Sequence, residues 1–543
     1  MTLQLSVPSH STRVLSDVER RPGKVEKWLA ALPLLNIAET GHKLYTTLNT
    51  YNRIDLDPEL RLKLLELYRT PIRQVGLALQ KQYVGMPLPL PERNKNIAEQ
   101  HRDFYTELAY GYKQVVLAHA QTTRPKNIDH ARDLALPIQR TIRHLTEVLL
   151  TSHLSYSPAP PSTWKEIHAL YRHAEQLSIV GVPVDDSLNS ARGRGTVAEA
   201  YKQALLLDLS DPYHLPSHLT VKIDQYLEGA VELAMMRPAT PPIEPNCQFL
   251  IDLEGDRAGI MHSATTVLEQ LERYRVLNTF ELARTIHAQL MQLQAAETPQ
   301  IAGLPADFFK DNGHELLLRL INVWGVNPKR GFRRSERADT TAEVAIGLDA
   351  VNYWLNGGRR LERSAGLVGP EPERNASGTF GGHQVKTNTA GHEFTAWDIV
   401  DESAGGMALS KSGAIRRRVR VGDLIATRFV ADDSWTISVA RWVKSSNPSS
   451  VEMGIQRLAP SAQAVLVKAV AGEKEESDFL AALRLPAIAA LKEPETLLIP
   501  TNLFRPDRTL YVDDGTHLSR VITKQVLEAA SGFDRVEFIV DMP

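Results

Sequence analysis

Over roughly the first 325 positions, apolar residues recur at helical spacing. Phe104, Leu108 and Val115 mark one face of a stretch bounded by Pro91 and Pro125. Ile142, Leu145 and Leu149 repeat the pattern, as do Leu282, Ile286 and Leu290. Prolines punctuate these runs at Pro33, Pro71, a cluster at 158–161, Pro183, Pro212 and Pro238. The pattern predicts an antiparallel bundle or irregular helical array. A Pro-rich joint follows at 237–246, and CQFLIDLEGD (247–256) reads as a strand and turn. Helical spacing resumes over 261–297, and HELLLRLINVW (314–324) predicts one more apolar helix.

After residue 328 the period shortens to two. Val344, Ile346 and Leu348 alternate with smaller or polar residues, and so do Ile437 and Val439, then Val536, Phe538 and Val540. An insert at 357–392 is rich in Gly, Pro, Asn and Ser, and its low hydrophobicity predicts a flexible loop. The last segment predicts strands at ETLLIP (495–500), RTLYVDD (508–514) and FDRVEFIV (533–540), with a helix at LSRVITKQVLEAA (518–530). The expectation is an α+β multidomain chain. Residues 1–245 would form a helical domain and 246–327 a mixed, mainly helical linker domain. Residues 328–460 would form a β-barrel, and 461–543 a small C-terminal β/α extension, open to reading as a second, degenerate barrel.

Charge narrows the partners. The chain of 543 residues carries 62 basic and 64 acidic side chains, a net charge of -2, so no global excess points to nucleic acid. The single cysteine, Cys247, excludes a disulfide framework within one chain. No stretch approaches a membrane-spanning length of apolar residues, and the N-terminus lacks the pattern of a signal peptide. A soluble, cytoplasmic protein is expected. The 17 histidines show no metal-site spacing.

Two short stretches carry the chemistry. PKRGFRRSERADTTAEVAIGL (328–348) places four arginines and a lysine just before a strand. WDIVDESAGGMAL (397–409) runs as a strand to Asp401, places Ser403, and turns on Gly405 and Gly406. Alone, the arginines read as a solvated basic stretch and Asp401 as a turn cap. Together they resemble the signature of the PilZ family: Arg-x-x-x-Arg in a flexible lead-in, then Asp-x-Ser-x-x-Gly on a barrel. Arg330 and Arg334 supply the first half, with Phe332 between them; Asp401, Ser403 and Gly406 supply the second. VGDLIATRF (421–429), WTISVARWV (435–443) and VEMGIQRL (451–458) look like the barrel strands that follow.

The resemblance implies a PilZ-type antiparallel β-barrel that binds cyclic di-GMP, with no other cofactor, no metal and no catalytic residues. Arginine's planar fork suits phosphate oxygens and the O6/N7 edge of guanine. The implied ligand residues are Arg330, Arg333, Arg334, Asp401, Ser403, Gly405 and Gly406. Arg333 and Arg337 form a second Arg-x-x-x-Arg, so the register stays open. The half-motifs lie further apart than the family usually shows. The helical half is the expected site of a protein partner. The alternative is a non-enzymatic helical scaffold whose barrel docks protein without ligand. RRRVR (416–420) reads as an exposed hairpin end or a supplementary phosphate contact.

Overall fold

The computed structural model describes residues 3–10, 18–189, 191–262, 270–295, 304, 313–326, 335–336, 340–363, 392–429, 434–447, 449–471, 474–475, 478–488 and 493–541. They form two units: Met1–Met86 with Leu90–Arg330, and Pro87–Pro89 with Gly331–Pro543.

The first unit opens with α1 (Pro22–Ala30), α2 (Ile37–Tyr51), α3 (Pro58–Gln80), α4 (Glu92–Ala118), α5 (Ile128–Leu154) and α6 (Thr163–Gln176). A short hairpin, β1 (Val184–Asp185) with β2 (Arg194–Gly195), leads into α7 (Val197–Leu209) and α8 (Ser217–Ala230). Helix starts are set by side chains that satisfy orphan N–H groups: Asp57 on α3, Asn127 on α5, and a reciprocal Thr196–Glu199 capping box on α7. Phe104, Leu108 and Val115 are buried on α4, and Ile142, Leu145 and Leu149 on α5, as their spacing predicts.

Pro71 does not end its helix. α3 runs through it, because Tyr68, Ile72 and Val75 bury the flanking face and outweigh the roughly 3 kcal/mol a helix-interior proline costs. Polar groups also lie inside this unit. Arg140 donates to Glu66 at 3.0 Å and to the Asp185 carbonyl at 2.6 Å, and Arg69 donates to Asp186 at 2.5 Å.

The unit ends in a four-stranded antiparallel sheet ordered β3-β6-β4-β5, with two helices. Its elements are β3 (Met235–Pro238), β4 (Gln248–Asp252), β5 (Ile260–Met261), β6 (Tyr274–Asn278), α9 (Phe280–Gln294) and α10 (Gly313–Gly325). Helix was expected from residue 261, but β5 and β6 occupy the front of that stretch. Val276 and Leu277 are drawn into the sheet between β3 and β4.

The second unit contains two closed barrels. A two-residue strand, β7 (Ser335–Glu336), precedes β8 (Thr341–Ile346), α11 (Leu348–Leu355), β9 (Thr395–Ser403), β10 (Gly406–Ser412), β11 (Leu424–Phe429), β12 (Thr436–Asn447) and β13 (Ser450–Ala459). The circuit β8-β9-β10-β13-β12-β11 closes on itself with every pair antiparallel. The remaining strands are β14 (Gln463–Ala471), β15 (Lys474–Glu475), β16 (Leu480–Leu485), β17 (Thr496–Ile499), β18 (Thr509–Asp513), β19 (Leu518–Ala529) and β20 (Asp534–Val540). The circuit β14-β16-β17-β20-β19-β18 closes a second six-stranded barrel.

Residues 518–530, predicted helical, are therefore strand. β19 is irregular between Thr523 and Val526 and again between Val526 and Glu528. Leu518, Val521, Ile522 and Val526 fall at helix-like spacing in the sequence, and the bulges after Thr523 remove the two-residue alternation that would have marked the rest as strand. α11 went unpredicted because it sits inside a strand-like stretch. It docks on the second barrel through Asn352, whose amide donates to the Val465 and Ala482 carbonyls at 2.9 and 2.8 Å. Leu348 and Val351 share a core with Leu483, Leu485 and Leu498. The predicted loop at 357–392 lies mostly outside the described residues.

Candidate ligand site

β9 begins as a regular barrel strand. Trp397 and Ile399 point inward and are buried, while Asp398 and Val400 are exposed. Continued alternation would send Asp401 into the core. Instead the register with β10 passes from Ala408↔Asp401 to Leu409↔Ile399, leaving Val400 as a bulge. The extra residue shifts the phase and leaves Asp401 partly exposed, although its Oδ1 is buried. Ser403, two residues on, shares its face.

The chain then turns at Ala404–Gly405, and Ser403 pairs with Gly406 across the hairpin. The Ser403 hydroxyl donates to the Gly406 carbonyl at 3.1 Å. Gly406 is required: a Cβ there would lie 2.0 Å from the Ile455 carbonyl oxygen on β13. The Met-Gly-Ile signature has a similar cause, since a Cβ on Gly454 would strike the Trp442 ring at 1.9 Å.

Asp401, Ser403, Gly405 and Gly406 thus come together in one hairpin. Arg330, Arg333 and Arg334, with Phe332 and Arg337, lie outside the described residues. The chain reappears at β7, where Ser335 pairs with Glu402 and Glu336 with Asp401. Ser335, the neighbour of Arg334 in sequence, thus lies beside the second half-motif.

Arg457 was missed in the sequence. Its backbone N–H donates to the Gly405 carbonyl at 2.9 Å and its guanidinium to the Ala404 carbonyl at 3.4 Å; Glu402 lies 3.9 Å away. It braces the motif turn from β13. The family-like run GIQRL was the available signal, but nothing in it distinguished this arginine from a solvated one.

The basic run 416–420 follows the far end of β10 from Gly406, about 20 Å along the strand. Arg416 pairs there with Glu393 at 3.3 Å, both exposed. Nearby, burial pushes the Asp423 carboxyl up to about 6, although it accepts the Arg420 N–H at 2.7 Å.

Three family models match the chain in succession. "Cyclic-di-GMP receptor FimW, N-terminal domain" matches residues 23–239. "Cyclic-di-GMP receptor FimW, middle PilZ domain" matches 248–391 and 369–464, and "FimW C-terminal beta-barrel domain" matches 465–540. The chain belongs to the FimW-type PilZ family. The cyclic-di-GMP receptor FimW of Pseudomonas aeruginosa is 27% identical to it, over 99% of this chain and 93% of that protein. No solved structure matches. The two pieces of the middle PilZ match overlap at 369–391, within the Gly/Pro-rich insert, which accounts for the wide separation of the half-motifs. Among the described residues no helix is long and apolar enough to cross a membrane, and no cluster of His, Cys, Asp and Glu is arranged to hold a metal ion.

Proposed function

We propose that this protein is a non-enzymatic receptor for cyclic di-GMP, and that the ligand lies on the outer face of the first barrel against the 401–406 hairpin. The observation that carries the reading is the pairing of Ser335 with Glu402 and of Glu336 with Asp401. It sets Ser335, the neighbour of Arg334 in sequence, beside the 401–406 hairpin, which supports a site shared by the two half-motifs. Asp401 accepts from guanine N–H donors and Ser403 donates its hydroxyl. Arg330, Arg333 and Arg334 supply bidentate contacts to phosphate or to the guanine edge. The P. aeruginosa relative, a cyclic-di-GMP receptor by name, supports the same ligand. The helical unit serves as the output module that meets a protein partner in the cytoplasm.

Calorimetric titration of the full-length protein tests this. Cyclic di-GMP should bind with micromolar or tighter affinity, while GTP and cyclic di-AMP should not. Arg330→Ala and Arg334→Ala should each cost about ten- to hundredfold in affinity, the loss of one charge-assisted contact. If Arg333→Ala and Arg337→Ala are the damaging pair instead, the other register is used. No heat at large ligand excess overturns the receptor reading.

A further inference from the structure

A second concentration of chemistry lies at the ends of β9 and β10 remote from the 401–406 hairpin. Lys411 is five residues from Gly406, about 17 Å along β10, so this is a separate place on the barrel. A shallow, open pocket of about 320 Å³ forms there, with Trp354, Glu393, Phe394, Lys411, Ala414 and Arg416 among its lining residues. Two of its walls are aromatic. Trp354 and Phe394 meet edge to face, with ring centroids 4.7 Å apart, and both stay partly exposed. Trp354 Nε1 donates to the His392 carbonyl at 2.5 Å, which fixes the indole.

The rim is basic. Two basic runs, NGGRR (356–360) and RRRVR (416–420), are distant in sequence but meet here. Burial lowers the pKa of His392, and Arg360 and Arg417, one from each run, lower it further. Gly358 turns the first run at φ +76°, so close to the Trp354 ring that a Cβ would lie 3.4 Å from it. Lys411 donates to the Ala396 carbonyl at 2.8 Å, which takes one of its three N–H donors. Glu393, the one acid among the described residues lining the pocket, pairs with Arg416 at 3.3 Å. Both side chains are exposed, so a bound carboxylate can compete for that arginine.

We propose that this pocket docks an acidic segment of a partner protein through one aromatic or large aliphatic side chain. The side chain fills the space between Trp354 and Phe394, and flanking carboxylates meet Lys411 and Arg416. The basic rim repels a cationic partner, and a bare phosphate would leave the aromatic walls wet. Small-molecule sites enclose most of their ligand. This pocket is open, which suits an anchor presented from another protein's surface. The inference is independent of the reading of the 401–406 hairpin as a cyclic di-GMP site.

Fluorescence anisotropy of a fluorescein-labelled peptide, one tryptophan flanked on each side by two glutamates, tests this with the full-length protein. The peptide should bind with a Kd of about 0.1 mM or tighter. Replacing its tryptophan by alanine, or its glutamates by lysines, should each weaken binding about tenfold or more. Ala414→Trp fills the pocket from an exposed position, and Arg416→Glu reverses the charge of the rim. Each should weaken peptide binding about tenfold, with affinity for cyclic di-GMP kept within about twofold of the wild type. That retained affinity also shows that the variants are folded. No binding of the tryptophan peptide by the wild type overturns the inference and leaves the receptor reading standing. Equal binding of the tryptophan and alanine peptides reduces the site to charge attraction and overturns the anchor. Peptide binding unchanged in both variants places it elsewhere and overturns the pocket. Displacement of the peptide by GMP, or loss of cyclic di-GMP affinity in Arg416→Glu, makes this a nucleotide site and overturns the partner assignment.

Discussion

The helical unit and the barrel unit handle polar side chains in opposite ways. In the helical unit, charges go inside. Arg140 is 1% exposed and Asp186 is likewise 1% exposed, and Lys113 pairs with Glu166 in the interior. Burial alone would raise Asp186, but Arg140 and Arg69 outweigh it and hold the carboxyl down at about 2. In the barrels the cores are mostly apolar, with Ile437, Val439 and Leu424 in the first and Val465, Leu497 and Val536 in the second, and buried charges such as Lys468 and Asp513 are few among the described residues. Charged pairs such as Arg428–Glu343 and Arg484–Glu495 stay partly exposed. A bundle that buries a connected ion network specifies one arrangement of its helices, since every misplacement strands a charge. A barrel with a mostly apolar core leaves its outer polar groups available to a ligand.

The largest test of that contrast removes one arginine from each unit. Arg140→Ala leaves buried Asp186 and half-buried Glu66 to share Arg69 alone and should destabilise the bundle by about 3 kcal/mol. Arg428→Ala breaks a half-exposed pair and a guanidinium–Trp435 stacking at 4.6 Å, and should cost about 1 kcal/mol. Chemical denaturation of the full-length protein, read by hydrogen exchange in peptides of each unit, separates the two. Similar costs would erase the distinction.

The second test concerns His144. Its ring is buried between Tyr105 and Tyr112, and neither ring nitrogen has a hydrogen-bond partner among the described residues. Burial, aided by Arg69 and Arg140, pushes its pKa well below the ordinary value. The native state therefore favours neutral imidazole. That contribution is fully present above the unfolded value of about 6.5 and is lost as pH falls through the folded one. Burial acts the same way on His101, lowered to about 4, whereas buried Glu147, raised to about 7, and Asp224 gain stability on acidification and oppose it. His144→Phe removes an unsatisfied polar group and should stabilise the bundle by about 1–3 kcal/mol at neutral pH, and by more in acid. A bundle that becomes more acid-sensitive in this variant would mean the ring is paired.

Much of this organisation is legible in the sequence, and the failures have identifiable causes. Regular periodicity was reliable: Leu282, Ile286 and Leu290 are buried on α9, and Val536 on β20 is fully buried. Irregular strands were not, because Leu518, Val521 and Ile522 happen to fall at helical spacing and the bulges of β19 leave no alternation after Thr523 to correct it. The hairpin half of the candidate site could be read from Asp401, Ser403 and Gly406, since each owes its place to local geometry. Arg457 could not, because what distinguishes it is pairing between strands distant in sequence. The buried ion network was equally hidden: nothing local marks Arg140 as interior and Arg132, on the same helix, as exposed.

The third test reverses the sign of the acid effect in the barrels. Asp423 is raised to about 6 by burial, from a reference near 3.8, with the Arg420 N–H lowering it only in part. Its folded-state pKa exceeds the unfolded one, so the neutral form is favoured. The penalty of the charged form applies above about 6 and fades as pH falls. Taking the protein from pH 7.5 to 5 should strengthen the first barrel by about 1 kcal/mol through this group. Asp423→Asn should abolish that gain. Hydrogen exchange in β11 and β12, measured at both pH values, reads it directly; an unchanged pH response in the variant would assign the effect elsewhere.

The smallest effect is expected where an outer-face polar group is both structural and available. The Ser403 hydroxyl donates to the Gly406 carbonyl at 3.1 Å on a half-exposed strand end, so water can replace it. Ser403→Ala should change stability by no more than about 0.5 kcal/mol, the usual range for a surface substitution. Its effect on cyclic di-GMP should be larger, because water cannot compete as freely once the ligand covers the hairpin. One neutral hydrogen bond is worth about 1 kcal/mol, or roughly a fivefold loss of affinity. The two numbers together carry the comparison. In the bundle, polar groups should matter more to stability than to any ligand; on the barrel face the order should invert. A Ser403→Ala protein that unfolds more readily yet binds as tightly as the wild type would place this hydroxyl with the structural network of the bundle, and the proposed ligand face would lose one of its members.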